Sequence, residues 1–320
     1  MQLETFLEEW NSDSPVVEVK TSGSTGVPKR MLVEKKRMLA SARMTCDYLD
    51  LKKDDTALLC MPLDYIAGKM MVVRSIERQL KLTVVEPALV PKVDGNDGFE
   101  LVAMVPAQVY ASIREPWLLR SRNIIIGGGA VSDDLRKMIL EAGFAGRVLS
   151  SYGMTETLSH IALRDINEEW YEPLPGVAVS LTDEGCLVID APHICEQTLV
   201  TNDIAEIADG RFRIRGRKDN VICSGGIKIQ AEEVEALLGE YVKDPFYITK
   251  AHDAQFGEVV ALVTTLQEEQ FDALREICQK HLPRYWQPKR IVHIDALPMT
   301  ETGKIKRLRL NDFSLDRMTE

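Results

Sequence analysis

The chain has 320 residues, 45% of them hydrophobic and 28% charged, which is typical of a globular protein with two domains. Its net charge of −10 argues against general binding to nucleic acid or anionic membranes, although local basic residues can still hold an anionic substrate. The six cysteines are dispersed without a C-x-x-C pair, which predicts reduced thiols and neither a zinc nor a redox site. We find no signal peptide and no apolar run near the roughly 20 residues of a membrane span, so we expect a cytoplasmic protein without stable membrane insertion.

The first half of the chain alternates predicted strands and helices. An acidic amphipathic helix ends near Asn11, and a later helix presents an apolar face from Met38 to Leu49. The predicted strands lie at 16–20, 57–61, 82–85, 101–105, 123–126 and 148–150. The other predicted helices lie at 67–79 and 132–142. This alternation predicts an α/β fold with a mostly parallel sheet and helices on its faces.

After about residue 170 the apolar runs become shorter, and glycine and proline separate them. Short apolar runs separated by glycine and proline predict a small β-rich part at about 171–216. A charged turn follows, and the remaining hundred or so residues show their own α+β alternation. We therefore predict a large domain at 1–216 and a small C-terminal domain at 217–320.

A hydroxyl- and glycine-rich segment, TSGSTGVPK, occupies residues 21–29. Hydroxyls and the bare backbone N–H groups that glycine permits can surround a polyphosphate, and lysine adds a point charge. The spacing differs from the P-loop pattern, and such a run by itself is more often a turn or a linker. The residues that could contact phosphate are Thr21, Ser22, Gly23, Ser24, Thr25, Gly26 and Lys29.

Two further segments follow predicted strands of the α/β part. Gly127, Gly128 and Gly129 end one strand, where bare backbone can approach a ligand at the crevice of an open sheet. The segment 151–157 ends the next and supplies an aromatic ring, hydroxyls and a carboxylate. Taken alone, the first is equally well a tight turn, and the second is better explained as a polar helix start capped by Thr155.

Three shorter patterns are ordinary when taken one at a time. Asp203 lies in a predicted turn, Gly216 to Asp219 form a charged turn, and Lys304 lies in a predicted loop near the C-terminus. Their order along the chain carries more information than any one of them. Together the segments resemble the AMP-forming acyl/aryl-CoA synthetases, the adenylate-forming superfamily. The matching segments are TSGSTGVPK at 21–29, SSYGMTET at 150–157, TNDIAEI at 201–207, GRKDNVICSGGIKIQAEEVE at 216–235 and TETGKIKR at 300–307.

The resemblance implies a reaction in two halves, with ATP, Mg²⁺ and CoA as cofactor and co-substrates. A small-molecule carboxylic acid attacks the α-phosphate of ATP to give an acyl adenylate, and the CoA thiol then displaces AMP. Because nucleophile and phosphates are anions, catalysis needs positioning and charge neutralisation. By similarity, Lys304 bridges the carboxylate and the α-phosphate, and Thr155 and Arg217 complete the catalytic set.

Further roles follow from the same resemblance. The loop at 21–29 would hold the β- and γ-phosphates, Asp203 the ribose hydroxyls, and Glu156 the Mg²⁺ ion. Asp219 would be the hinge about which the C-terminal domain rotates between the two half-reactions. Gly225 and Gly226 would then approach CoA. The other nucleotide contacts implied are Gly128, Gly129, Ser151, Tyr152 along adenine, Gly153 and Met154.

The acyl pocket is where this chain departs from the superfamily pattern. Tyr65 replaces the frequent histidine of the P-L-x-H-x-x-G segment, and only about 20 residues precede the phosphate loop. The segments at 104–109, 125–130 and 173–176 are most similar to the o-succinylbenzoate–CoA ligases of menaquinone biosynthesis. The sequence leaves open whether the shortened N-terminus leads to a homodimer.

o-Succinylbenzoate is a dianion, so a cation or hydrogen-bond donors must hold its second carboxylate. Lys69 is the preferred partner because it follows the Gly68 turn, and the pocket residues would be Tyr65, Lys69, Gly127 and His160. Further cations placed nearby by position are Arg74 and Arg164. The alternatives are a CoA ligase for another aryl or short acyl acid, an adenylation domain that loads a carrier protein, and a truncated non-catalytic relative.

Overall fold

The computed structural model describes residues 2–20, 30–299, 305–308 and 310. The chain divides into two compact units. Unit 1 comprises Met1–Ser180, Val188–Leu199 and Ile207–Arg213, and unit 2 comprises Leu181–Leu187, Val200–Glu206 and Ile214–Glu320. Among the described residues, no helix has the length and apolar character needed to cross a membrane.

Unit 1 contains a seven-stranded sheet in the order β4-β3-β5-β6-β7-β8-β9. Its strands are β3 (Thr56–Leu59), β4 (Lys81–Val84), β5 (Leu101–Met104), β6 (Asn123–Ile126), β7 (Arg147–Gly153), β8 (His160–Asp165) and β9 (Glu172–Pro173). The strands from β4 to β7 run parallel, and β8 and β9 are added antiparallel. Every residue of β5 and β6 is buried, as expected where helices cover both faces of a parallel sheet.

Helices cover this sheet and bury a continuous apolar core. They are α1 (Leu3–Asn11), α2 (Lys35–Tyr48), α3 (Ile66–Arg78), α4 (Pro106–Ser112), α5 (Pro116–Leu119) and α6 (Asp133–Ala142). Ser132 begins α6 as a cap, since its hydroxyl accepts a hydrogen bond from the Leu135 amide at 3.2 Å. The core joins Val102 and Ile124 of the central strands to Trp117 of α5.

Two smaller sheets complete the described strands before residue 218. The strands β1 (Val16–Lys20) and β2 (Arg30–Glu34), which precede and follow residues 21–29 in the sequence, pair antiparallel. A four-stranded sheet has the order β10-β11-β12-β13. Its strands are β10 (Ala178–Leu181), β11 (Cys186–Asp190), β12 (Leu199–Ala208) and β13 (Arg211–Arg217).

The rest of unit 2 is a five-stranded sheet with two helices. The path is β15-β14-β17-β16, and β18 pairs with β17. The elements are β14 (Val221–Ser224), β15 (Ile227–Gln230), α7 (Ala231–Gly239), β16 (Phe246–Asp253), β17 (Gly257–Thr264), α8 (Phe271–His281) and β18 (Arg290–His293). Gly225 and Gly226 form the two-residue turn of the β14–β15 hairpin with φ values of +56° and +87°, as a type I′ turn requires.

The predicted α/β class with a mostly parallel sheet is confirmed. The structure adds strands that the sequence analysis missed, namely β2, β8, β9, β15 and β16, and it adds helices α4 and α5. Strand β8 was missed because it pairs antiparallel with the strand before it through a short 3₁₀ turn, without an intervening helix. The domain boundary at residue 217 stays a prediction, close to the point where unit 2 becomes continuous at Ile214.

Candidate functional site

The triple-glycine loop and the start of the 151–157 segment meet at the carboxyl ends of β6 and β7. Because these strands are parallel neighbours, their ends lie side by side. The Ser151 hydroxyl donates to the carbonyl of Ile126 at 3.0 Å. A Cβ at Gly127 would stand 2.6 Å from that hydroxyl oxygen, and Gly128 has φ +78°. Glycine is therefore needed here for close approach and for the left-handed backbone, which keeps backbone exposed at the sheet edge.

An aromatic cluster surrounds Tyr152, the residue expected to lie along adenine. The ring centroids of Tyr152 and Phe212 are 5.2 Å apart at 78°, and those of Tyr152 and Tyr171 are 5.8 Å apart. Tyr171 and Phe212 stack on each other at 5.5 Å. The Tyr171 hydroxyl lies 3.1 Å from Ser150 Oγ, which ties the cluster to β7. Sequence reasoning missed Tyr171 and Phe212 because they come from distant β-rich segments.

The segment after Tyr152 and Gly153 does not begin an α-helix. Thr155–Thr157 form a 3₁₀ turn, and the hydroxyl that accepts from the Met154 amide, at 2.9 Å, belongs to Thr157 and not to Thr155. The helix-start explanation with Thr155 as cap is therefore wrong for this segment. Glu156 is exposed, and no described residue forms an ion pair with its carboxylate. A carboxylate so placed fits a hard cation such as Mg²⁺, which prefers oxygen ligands.

In unit 2, Asp203, Arg217 and Asp219 form one charged network. Arg217 donates to Asp203 Oδ1 at 2.9 Å and to Asp219 Oδ2 at 3.1 Å. Asn202 Nδ2 also donates to Asp219 Oδ2, at 3.2 Å. Asp203 is buried, and its backbone amide donates to Thr201 Oγ1 at 3.1 Å. The predicted ribose residues and the predicted hinge residue are thus neighbours.

Lys69, the preferred partner of the second carboxylate, has other contacts. Its side chain is 1% exposed, and Nζ donates to the Glu18 carbonyl at 2.5 Å. Nζ also lies 3.7 Å from Glu9 Oε2 and 5.3 Å from the Phe6 ring centroid. Burial lowers the pKa of Lys69, and the carboxylates of Glu9 and Glu18 oppose this shift. These contacts give Lys69 a structural role, which is to hold helix α1 and strand β1 against α3.

Arg74, one turn and a half further along α3, is the buried cation without such compensation. It is 3% exposed and forms no ion pair with any described carboxylate. One terminal nitrogen contacts Met71 Sδ at 3.6 Å, the other donates to Ser159 Oγ, and Nε has no partner among the described residues. Burial lowers the pKa of Arg74 to about 10, so it remains charged near neutral pH. A buried charge without an opposite charge beside it is energetically costly.

His160 and Thr45 are connected to Arg74 through the Ser159 hydroxyl. His160 Nδ1 is 3.4 Å from Ser159 Oγ, and Nε2 is 3.0 Å from Thr45 Oγ1. Burial and the neighbouring Arg74 charge hold the pKa of His160 well below its ordinary value. His160 was predicted as a residue of the acyl pocket, and the structure groups it with Arg74.

The other predicted residues are distributed as follows. Tyr65 precedes α3 and forms an isolated bridge with Lys20, and Arg164 stacks over the Tyr171 ring at 5.0 Å. Gly225 and Gly226 lie in the β14–β15 turn. The phosphate loop at 21–29 and Lys304 lie outside the described residues, so their predicted roles stay predictions.

Family models match both parts of the chain. The model described as AMP-binding enzyme matches residues 4–197, and the model of the AMP-binding enzyme C-terminal domain matches residues 234–304. The chain belongs to the AMP-binding enzyme family, and the resemblance to the adenylate-forming superfamily is confirmed. This family match supports ATP binding.

Several individual relatives of this chain are acid–CoA ligases or similar to them. A 2-succinylbenzoate–CoA ligase of Listeria monocytogenes is 26% identical over 96% of this chain and 72% of its own length. An indoleacetate–CoA ligase of Aromatoleum aromaticum is 27% identical over 92% of this chain and 66% of its own length. A solved structure of an acyl-CoA synthetase (AMP-forming)/AMP-acid ligase II-like protein from Dyadobacter fermentans is 35% identical, with a TM-score of 0.65. The structural match covers 95% of this chain and 91% of that protein, so the two chains are similar in length.

Proposed function

We propose that this protein is an AMP-forming acid–CoA ligase for o-succinylbenzoate, which would place it in menaquinone biosynthesis. In the first half-reaction a carboxylate oxygen of the acid bonds to the α-phosphorus of ATP, and the bond to pyrophosphate breaks. In the second, the CoA sulfur bonds to the acyl carbon, AMP leaves, and the thiol proton is released. The family and its ligase relatives support the reaction class.

The observation that carries the choice of a dianionic acid is the buried Arg74. In a monocarboxylic acid, the only carboxylate reacts with the α-phosphate. Such an acid therefore has no further carboxylate to pair with Arg74. A dianion offers its second carboxylate, and a guanidinium in a dry site binds a carboxylate strongly. We therefore propose Arg74, in place of Lys69, as the residue that holds the second carboxylate.

At the nucleotide end, the chain's own residues supply charge and shape. Tyr152 with its aromatic neighbours would contact the face of adenine. Asp203, which accepts a hydrogen bond from Arg217, would also accept hydrogen bonds from the ribose hydroxyls. The reacting carboxylate and the α-phosphate repel each other. Lys304 would neutralise their charge, and Thr155 would help to position them. When bound at Glu156, Mg²⁺ would neutralise phosphate charge.

The indoleacetate ligase relative favours one second candidate, a monocarboxylic aryl acid. The two candidates predict different consequences of losing the Arg74 charge. We would measure thioester formation with ATP, Mg²⁺ and CoA for o-succinylbenzoate, indoleacetate and benzoate. We expect o-succinylbenzoate to give the highest kcat/KM. Arg74→Gln should raise its KM about 30-fold, because removing one partner of a buried charge pair costs roughly 2 kcal/mol or more.

Lys69→Met is the matched control, since it removes a buried cation from the same helix. It should lower the free energy of unfolding and leave the KM for o-succinylbenzoate within about twofold. Equal kcat/KM for the three acids, with Arg74→Gln indistinguishable from wild type, would contradict the proposal. Pyrophosphate release without thioester formation would instead support loading of a carrier protein.

A further inference from the structure

Four buried or half-buried polar side chains from three parts of unit 1 form a continuous chain of hydrogen bonds. Thr45 comes from α2 and Arg74 from α3, whereas His160 is the first residue of β8 and Ser159 directly precedes it. The contacts run from Arg74 to Ser159, from Ser159 to His160, and from His160 to Thr45. The three parts are far apart in sequence, so only the fold assembles this hydrogen-bond chain.

The direction of every hydrogen bond in this hydrogen-bond chain can be assigned. Thr45 Oγ1 lies 3.2 Å from the Ser41 carbonyl, which can only accept, so the threonine hydroxyl donates there. Thr45 Oγ1 therefore accepts from His160 Nε2–H at 3.0 Å. This makes Nδ1 the unprotonated nitrogen of neutral His160, and it accepts from the Ser159 hydroxyl.

Because the Ser159 proton points to His160, the Ser159 oxygen presents only its lone pairs to Arg74, and the guanidinium donates to it. A serine hydroxyl without a fixed acceptor rotates and can turn its proton toward the arginine, which would repel it. His160 prevents this rotation because its Nδ1 holds the proton on the opposite side. A neutral His160 also adds no second positive charge beside Arg74, in agreement with the lowered pKa of its imidazole.

We propose that His160 is a positioning residue that sets the selectivity for dianionic acids through Ser159 and Arg74. The inference rests on the proposed function, in which Arg74 binds the second carboxylate. Thr45 fixes the tautomer of His160, His160 fixes the hydroxyl of Ser159, and Ser159 holds one edge of the guanidinium. Arg74 Nε is buried and has no hydrogen-bond partner among the described residues, so it is the donor that the second carboxylate would satisfy.

The test compares the KM of o-succinylbenzoate with that of benzoate in His160→Leu and His160→Asn. His160→Leu should raise the KM for the dianion about tenfold, the effect of one lost hydrogen bond to a charged group. The KM for benzoate and both kcat values should stay within about twofold. His160→Asn offers an amide oxygen near the position of Nδ1 and should restore most of the dianion affinity. His193→Leu, at an exposed histidine of the same unit, serves as the control.

A general packing defect would raise the KM for both acids equally in His160→Leu and would not be rescued by asparagine, and that result would overturn the proposal. If His160→Leu does not fold, Ser159→Ala and Thr45→Val interrupt the same hydrogen-bond chain with smaller changes and should show the same selective KM increase. Arg74→Gln distinguishes failure of the hydrogen-bond chain from failure of the acid site. A selective effect in Arg74→Gln without one in the His160, Ser159 or Thr45 variants rejects the role of the hydrogen-bond chain alone, whereas no effect in Arg74→Gln rejects the acid site itself.

Discussion

Two buried cations on helix α3 differ in how their charges are compensated. Lys69 is surrounded by the Glu18 carbonyl, the Glu9 carboxylate and the Phe6 ring, all supplied by the first 18 residues of the chain. Arg74 has a serine hydroxyl and a thioether sulfur, neither of which carries a charge. This difference assigns a structural role to the first and a proposed ligand to the second.

His160 makes the stability of the protein depend on pH near neutrality. Its pKa in the folded protein is well below its ordinary value near 6.5, because burial and Arg74 penalise the imidazolium. The charged and titratable groups around it are Arg74 and, beyond that residue, the Cys46 thiol, whose pKa burial raises. Below pH 6.5 the unfolded chain binds a proton that the folded protein does not, so stability falls as the pH falls.

The loss should approach about 1.4 kcal/mol per pH unit between pH 6.5 and the lower folded pKa. Urea denaturation at pH 7.5 and pH 5.5 measures it for wild type, His160→Asn and His193→Asn. His160→Asn should lose less stability than wild type across this interval, and His193→Asn should follow wild type. Identical losses in all three proteins would show that His160 does not contribute.

Among the individual elements, the β14–β15 hairpin depends on its two glycines for different reasons. Gly226 has φ +87°, and no atom lies within 4 Å of the position that a Cβ would occupy, so only the backbone conformation requires glycine. Gly225 has φ +56°, and a Cβ there would also lie 2.9 Å from the Phe256 ring. The turn therefore combines backbone conformation with a close packing contact.

Alanine substitutions should separate these two effects. Gly226→Ala should lower the free energy of unfolding by about 1–2 kcal/mol, the cost of a left-handed conformation for an L-residue. Gly225→Ala should cost more, because the Phe256 ring must also shift. Gly239→Ala, in helix α7 with open space around it, should be neutral or slightly stabilising. Denaturant titrations monitored by circular dichroism would show this order, and equal losses for Gly225→Ala and Gly226→Ala would refute the contribution of Phe256.

For the molecule as a whole, the two half-reactions should respond differently to modification of unit 2. Of the six cysteines, Cys223 on β14 is the exposed one. Burial raises the pKa of Cys60 to about 12 and that of Cys278 to about 11, so these thiols react slowly. The family resemblance implies that the β14 edge approaches CoA in the second half-reaction.

N-ethylmaleimide should therefore label Cys223 first in the native protein. The label should reduce thioester formation at least about tenfold, the effect expected when a bulky group occupies a substrate approach, while acid-dependent pyrophosphate release continues. Peptide mapping, a pyrophosphate assay and a thioester assay measure the three quantities. Cys223→Ser should resist the inhibition. Equal loss of both half-reactions in the labelled protein would count against a role of this edge in the CoA step alone.

Much of the site was predictable at the level of segments. The order of the glycine-rich, aromatic and charged motifs indicated the family, and parallel strands placed Gly127 and Ser151 at neighbouring strand ends. The proximity of Asp203 and Arg217 was also expected from their shared role. The sequence analysis failed where contacts join distant segments, as for Tyr171 and Phe212 around Tyr152.

Local hydrophobic periodicity and short motifs were enough to identify the α/β class, the order of most strands and helices in the large domain, and the adenylate-forming family. Each of these signals depends on residues close together in the chain, so it can be recognised before the chain is folded. Which buried cation is compensated, and which hydroxyls contact the two ring nitrogens of His160, became visible only in the folded protein. Those properties depend on the polar neighbours that folding brings together around a desolvated charge, and spacing along the chain does not encode them.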